Sequence, residues 1–94
     1  MRLDPIEKEA LDHALQNVKG EVFLFGSRVD HSKKGGDIDI LIFSPESPFH
    51  LSRKVSVMFK MVCDEKIDVI VMNPQKMTEE QQVFLNTLVL EKIK

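Results

Sequence analysis

The chain has 94 residues, 43% of them apolar, and a formal net charge of −2. This length predicts a single domain spanning residues 1–94, and the slightly acidic charge argues against nucleic acid as a direct partner. One cysteine excludes an internal disulfide and fits a reducing compartment. The apolar runs are too short to span a bilayer, and the charged opening MRLDPIEKEA is unlike a secretory segment. We therefore expect a soluble, cytoplasmic protein.

The first predicted element is a helix that begins after Asp4. Asp4 is a suitable N-cap, Pro5 suits the first helical position, and Glu7 completes a capping box. Apolar residues at helical spacing follow, and Gly20 predicts the end of the helix.

A strand over residues 21–25 (EVFLF) is predicted next, apolar on both faces and therefore covered on both. Gly26 lets the backbone turn sharply, and the N–H groups of Ser27 and Arg28 would face an anion if they open a helical turn. Arg28, Lys33 and Lys34 add positive charge nearby. Taken alone, Gly26-Ser27 is a simple corner after a strand, and the two lysines are solvated loop charges.

The second strand is predicted over residues 37–43 (DIDILIF). Asp37 and Asp39 stand on the same face of such a strand, roughly 6–7 Å apart along it. Two neighbouring carboxylates repel each other unless a cation such as Mg²⁺ neutralises them. Alternation alone would also fit a solvent-facing strand, but Leu41 and Phe43 continue the face of the two aspartates. That face is therefore predicted to be core at one end and charged at the other.

A second helix is predicted from Pro48, capped by Ser47, to about Asp64. Arg53 and Lys54 near its start are interpreted as solvated charges, with contact to a bound nucleotide as the alternative.

The third strand, residues 66–72 (KIDVIVM), carries Asp68 among apolar neighbours. A carboxylate in such a setting is rarely buried without a partner. If this strand lies beside the second one, Asp68 joins Asp37 and Asp39 in a cluster of three acids.

The last predicted element is a helix from Thr78, which forms a capping box with Gln81, to about Ile93. Its apolar residues would lie nearly all around the helix, whereas a surface helix normally shows one apolar stripe. This predicts a second buried surface, against a protein partner or another copy of the chain. The alternative is a loosely amphipathic helix with a few exposed apolar side chains.

The order GS, short polar loop, DID, and a third aspartate in an apolar strand resembles the DNA polymerase β-type nucleotidyltransferases, and in particular their minimal subgroup. The resemblance implies an α/β (α+β) fold with a mixed sheet of about three strands, in the order α-β-turn-β-α-β-α. It implies two Mg²⁺ ions and ATP as the nucleotide. Catalysis and metal binding are expected of Asp37, Asp39 and Asp68. Nucleotide binding is expected of Gly26, Ser27 and Arg28.

Minimal nucleotidyltransferases of this kind resemble the antitoxin half of toxin–antitoxin pairs with HEPN-domain proteins. That resemblance implies transfer of AMP from ATP to a hydroxyl of a HEPN-domain partner, with Asp68 accepting the proton of that hydroxyl. Two alternatives stay open: a binding module that neutralises its partner by occlusion, and a small-molecule nucleotidyltransferase. The short chain argues against the second.

Overall fold

Helices and strands alternate along the part of the chain that the structure, a computed structural model, describes, namely residues 2–30, 32 and 36–94. The elements in order are α1 (Pro5–Leu15), β1 (Val22–Phe25), a 3₁₀ turn (Gly26–Arg28), β2 (Ile38–Phe43), α2 (Pro48–Lys60), β3 (Ile67–Met72), α3 (Glu79–Asn86) and β4 (Glu91–Lys92). The helices and the first three strands follow the predicted order, and β4 was not predicted.

The four strands of the described residues form one mixed sheet in the order β3-β2-β1-β4. β1 runs antiparallel to both of its neighbours, whereas β2 and β3 are parallel and are connected through α2. A parallel pair needs such a crossover, usually a helix. The predicted mixed sheet flanked by helices is therefore confirmed, with one strand more than expected.

Each face of the sheet contributes to its own hydrophobic core. One core contains α1, α2 and the side chains Val22, Leu24, Ile38, Ile40, Ile42, Ile67 and Val71. The other lies beneath α3 and contains Phe23, Phe25, Leu41, Phe43, Ile70, Met72, Leu85, Leu88 and Leu90. Because side chains alternate along a strand, these two sets follow from the two-residue period of the sequence.

Two helices begin with the predicted capping boxes. In α1 the Asp4 side chain accepts from the Glu7 N–H at 2.9 Å, and Glu7 accepts from the Asp4 N–H at 3.0 Å. In α3, Thr78 and Gln81 exchange the same pair of bonds at 3.0 and 3.1 Å. These bonds satisfy N–H groups that the first turn of a helix leaves without a partner.

The other helix boundaries differ in part from the predictions. α2 begins at Pro48 as expected, but the Ser47 side chain makes no capping hydrogen bond, and the helix ends at Lys60 rather than near Asp64. α1 ends at Leu15, before the predicted Gly20 stop. No helix within the described residues has the length and apolar character needed to cross a membrane.

The predicted long C-terminal helix is wrong. α3 ends at Asn86, and Glu91–Lys92 pairs with β1 as a short edge strand. An edge strand leaves backbone groups unpaired, and this pairing covers the free side of β1. The extended backbone also places Leu88 and Leu90 in the core beneath α3 and Ile93 against the core of α1 and α2, which a continuous helix would not do.

Candidate active site

Three strand ends meet at one edge of the sheet, where acidic side chains collect. Asp39, the second residue of β2, is in register with Asp68 of β3 on one side and with Phe25, the last residue of β1, on the other. Gly26 follows Phe25 directly. We call the position defined by Asp39, Asp68 and Gly26 the acidic edge. The structure therefore brings together two of the three predicted carboxylates and the predicted glycine.

The acidic edge is electrostatically unfavourable for Asp39 in its charged form. The Asp39 side chain is half-buried, and its pKa is raised, first because burial penalises the carboxylate. The charges of Asp68 and Asp37 and a hydrogen bond with Asp68 raise this pKa further, while the charge of Lys66 lowers it. A cation bound between Asp39 and Asp68 would remove this repulsion.

The third predicted carboxylate, Asp37, is paired with a cation of the protein. Lys66 Nζ lies 3.5 Å from Asp37 Oδ2; the lysine side chain is largely exposed, and the aspartate side chain is about half exposed. Exposed ion pairs of this kind contribute about 0–1 kcal/mol, so a stronger cation can replace the lysine. In the region that the structure describes, no three His, Cys, Asp or Glu side chains converge closely enough to hold a metal ion.

The chemistry of the donors nevertheless suits a hard divalent ion. Asp39 and Asp68 present carboxylate oxygens side by side, and such ions prefer oxygen ligands. Asp39 and Asp68 thus form a site with two carboxylates, and Asp37 lies two residues before Asp39, just ahead of β2.

Two glycines allow close contacts around the acidic edge. Gly26 has φ +77°, and a Cβ atom there would collide with Asp39 Oδ2. Gly36 has φ +89°, and a Cβ atom there would collide with the Ser27 hydroxyl oxygen. Only glycine adopts such backbone angles without steric cost. The predicted turn after β1 is thus present, with its glycine against one carboxylate and its serine against the residue before Asp37.

Arg28 lies in a buried ion pair with Glu7. Its Nη1 and Nη2 donate to the two Glu7 oxygens at 2.6 and 2.8 Å, its Nε to the Gly36 carbonyl at 3.0 Å, and Nη1 also to the Arg2 carbonyl at 3.0 Å. These contacts use four of the five N–H donors of a guanidinium. Arg28 therefore fixes the end of the loop before Asp37, and direct phosphate contact by this residue stays a prediction.

The role of Glu7 was only half predicted. Besides its part in the capping box, the side chain is buried, and its pKa is lowered chiefly by the hydrogen bonds from Arg28. The signal lies in the sequence, because Glu7 precedes Ala10 and Leu11 by three and four residues on the buried stripe of α1. A carboxylate in that stripe requires a buried cation.

Two further basic candidates, both on α2, do not lie at the acidic edge. Arg53 and Lys54 are exposed on α2, which packs on the opposite face of the sheet from Asp39. Lys33 and Lys34 fall outside the described residues. Among the described residues, Lys66 is a cation at the acidic edge that the sequence analysis did not single out.

A small mixed sheet that brings aspartates from two parallel strands together beside a glycine-serine turn is an arrangement suited to nucleotidyl transfer. The comparison with protein families agrees: the family model described as "Polymerase beta, Nucleotidyltransferase" matches residues 9–93. Because the match covers nearly the whole chain, the protein belongs to the polymerase β nucleotidyltransferase family. A search of the curated proteins found no match.

Proposed function

We propose that the protein is a metal-dependent nucleotidyltransferase that moves AMP from ATP to a hydroxyl group of a protein partner. The observation that carries the proposal is the register pairing of Asp39 with Asp68, next to the turn at Gly26. Family membership supports nucleotidyl transfer. The proposed acceptor is a HEPN-domain toxin, which this chain would neutralise as its antitoxin. This choice of acceptor rests on the resemblance of the sequence to minimal nucleotidyltransferases.

The carboxylates at and next to the acidic edge, and the turn beside it, have separate roles in this proposal. Asp39 and Asp68 would hold Mg²⁺, with Asp37 as a third ligand once it releases Lys66, and the ion supplies charge neutralisation and Lewis acidity. Ser27 and the backbone of its turn would bind the terminal phosphates. Asp68 is exposed and can therefore reach an acceptor from solvent.

The chemical step is an in-line displacement at the α-phosphorus. The acceptor oxygen forms a bond to this phosphorus while its proton passes to a carboxylate oxygen of Asp68. The bond between the α-phosphorus and the bridging oxygen breaks, and pyrophosphate leaves. Half-burial of Asp39 strengthens the electrostatic interactions that hold the reacting groups in place.

The test is transfer of label from ATP labelled at the α-phosphorus, in the presence of Mg²⁺ and the product of the neighbouring gene. We expect the partner to become labelled, and Asp39→Asn and Asp68→Asn each to abolish labelling. Asp64→Asn is the matched control, because Asp64 is exposed and lies outside the acidic edge. ATP labelled at the γ-phosphorus should give no product label. Labelling that survives Asp39→Asn would reject the proposed site.

One observation favours a second function, a binding module that neutralises its partner without catalysis. Lys66 already lies beside Asp37 and reduces the repulsion at Asp39, as expected of a site that no longer binds a metal. In that case the double variant Asp37→Ala, Asp39→Ala should still form the complex and still neutralise the partner. For the enzyme, the double variant should bind the partner without modifying it and should fail to neutralise it.

A further inference from the structure

The outer edge of β3 is open to another extended chain. In the sheet order β3-β2-β1-β4, β4 covers the outer side of β1, whereas β3 pairs only with β2 among the strands of the described residues. β3 (Ile67–Met72) has six residues and contains no proline. Such an edge is a template for a further strand, because its outward N–H and C=O groups have no partner in the sheet. The acidic edge ends on this strand, at Asp68.

The hydrogen bonds to β2 show which residues of β3 direct their backbone groups outward. The carbonyls of Lys66 and Met72, at the two ends of the strand, accept from N–H groups of β2 and of the residue after it, at 3.2 and 2.9 Å. Backbone groups alternate in direction along a strand, so the even-numbered residues bond to β2. Within residues 2–30, 32 and 36–94, no hydrogen bond reaches the outward groups of the odd-numbered residues, which are Ile67, Val69 and Val71.

We propose that this open edge binds an extended segment of the protein acceptor as an added strand, with the residue that bears the acceptor hydroxyl beside Asp68. The inference rests on the proposed function, in which Asp68 accepts the proton of that hydroxyl. Neighbouring strands lie about 4.8 Å apart, so the residue of the added strand in register with Asp68 stands next to its exposed carboxylate. Main-chain hydrogen bonds supply the affinity in this mode of peptide recognition.

The side chains along the edge give the acceptor segment a sequence preference. Lys66 and Ile70 lie two residues before and after Asp68, on the same face of the strand. The Lys66 side chain is 70% exposed, and Ile70 is partly exposed. The residues two positions from the hydroxyl residue of the segment lie beside these two side chains. We therefore expect an acidic residue beside Lys66 and an apolar residue beside Ile70.

The same register fixes which backbone groups of the segment bond to β3. In the parallel orientation, the hydroxyl residue donates its N–H to the Ile67 carbonyl, and its carbonyl accepts from the Val69 N–H. In the antiparallel orientation, the residues directly before and after the hydroxyl residue make these bonds instead. In either orientation, only every second N–H of the segment faces β3.

The experiment uses the whole 94-residue chain and a short peptide from the partner, centred on the residue that mass spectrometry identifies as labelled. Two versions of the peptide carry backbone N-methyl groups. One version is methylated at the hydroxyl residue and at the second residue after it, and the other at the residues directly before and after the hydroxyl residue. Each version is thus the matched control of the other. Fluorescence anisotropy without ATP or Mg²⁺ measures their affinities, and the labelling assay measures their modification.

We expect one methylated version to bind about tenfold more weakly and to lose labelling, because two of its hydrogen bonds to β3 are removed. The other version should match the unmodified peptide, and the version that is weakened identifies the orientation of the added strand. The inference is overturned if the two versions behave alike, or if the unmodified peptide is not labelled although the intact partner is. In these cases labelling of the partner, and with it the proposed function, stands.

A second copy of this chain is the competing occupant of the edge, through pairing of β3 with β3. Sedimentation equilibrium that shows a dimer of the chain which the peptide does not dissociate would overturn the inference in favour of that occupant. Failure to label the intact partner would instead reject the proposed function and, with it, the assignment of the open edge to the acceptor.

Discussion

The substitution Glu7→Gln tests the buried ion pair most directly. Glutamine keeps the size of the side chain and one oxygen, but it leaves the Arg28 guanidinium charged and without its carboxylate. The two side chains are 4% and 8% exposed, and their closest atoms are 2.6 Å apart. Removing one partner of a buried pair costs about 3–5 kcal/mol, because the other charge stays buried. A domain of this size has a free energy of unfolding of about 5–14 kcal/mol, so we expect a large loss.

The effect of pH gives this prediction a definite sign. The pKa of Glu7 is lowered from its ordinary value of 4.5, first by the hydrogen bonds from Arg28, against the opposing effect of burial. The folded state therefore binds this proton less tightly than the unfolded state. The stabilisation is complete above the unfolded value of 4.5 and is lost as the pH falls through the lower folded value. The difference between wild type and Glu7→Gln should be constant at neutral pH and should shrink below pH 4.5.

Urea denaturation followed by circular dichroism measures both effects. Glu9→Gln is the matched control, since Glu9 is exposed on the same helix, and it should change the free energy of unfolding by less than about 0.5 kcal/mol. The double variant Glu7→Leu, Arg28→Met should recover much of the loss, because no charge remains buried. If Glu7→Gln destabilises no more than Glu9→Gln, the reasoning about the buried pair is wrong.

The remaining predictions concern the acidic edge. Asp39→Asn in EDTA should raise the free energy of unfolding at neutral pH, on the order of 1 kcal/mol by urea denaturation. The reason is that the pKa of Asp39 is raised in the folded state, so that stability falls as the pH rises past the ordinary value of 3.8. A loss of stability of the same size would contradict the repulsion at Asp39. Gly26→Ala should lower the free energy of unfolding by about 1–3 kcal/mol and abolish AMP transfer. The alanine would hold a strained positive φ at position 26, and its Cβ would displace the Asp39 carboxylate. Unchanged transfer would show that the contact between Gly26 and Asp39 is not needed. Mg²⁺ at ten times its Kd should raise the unfolding free energy by about 1.4 kcal/mol in wild type but not in Asp39→Asn, Asp68→Asn, as thermal melting would detect. An equal shift in both proteins would place the ion elsewhere.

Much of the sheet could be predicted because the two-residue period of a strand fixes which side chains share a face. Leu41 and Phe43 separate from Ile40 and Ile42 into different cores, as the alternation in DIDILIF indicates. The sequence also indicated that Asp68 would join Asp39 if the third strand lay beside the second, and β2 and β3 are indeed parallel neighbours, the usual result of a helical crossover. These features depend on local pattern and chain connectivity, and the sequence contains both.

The parts that could not be predicted depend on contacts between distant residues. The capping box at Thr78 indicates where α3 begins, but its end is decided by the free edge of β1, which pairs with Glu91–Lys92 nearly 70 residues later in the chain. Similarly, Glu7 and Arg28 are 21 residues apart, and nothing local to Arg28 shows that it lies inside the protein. The 26–28 turn directs Arg28 inward, while its neighbour Ser27 lies against Gly36.

The buried ion pair and the acidic edge are mechanically connected, although they act on stability in opposite directions. Arg28 binds the Gly36 carbonyl, and Gly36 directly precedes Asp37, where the chain enters the acidic edge. The attraction between Glu7 and Arg28 therefore holds in place the end of the loop that leads to Asp37. It does so although the charges of Asp37 and Asp68 repel the carboxylate of Asp39. A repelling acid cluster persists in a folded protein only when the surrounding structure fixes it. Weakening the ion pair should for this reason relax the acidic edge before the domain unfolds, so that Glu7→Gln loses affinity for Mg²⁺ even under conditions in which it remains folded.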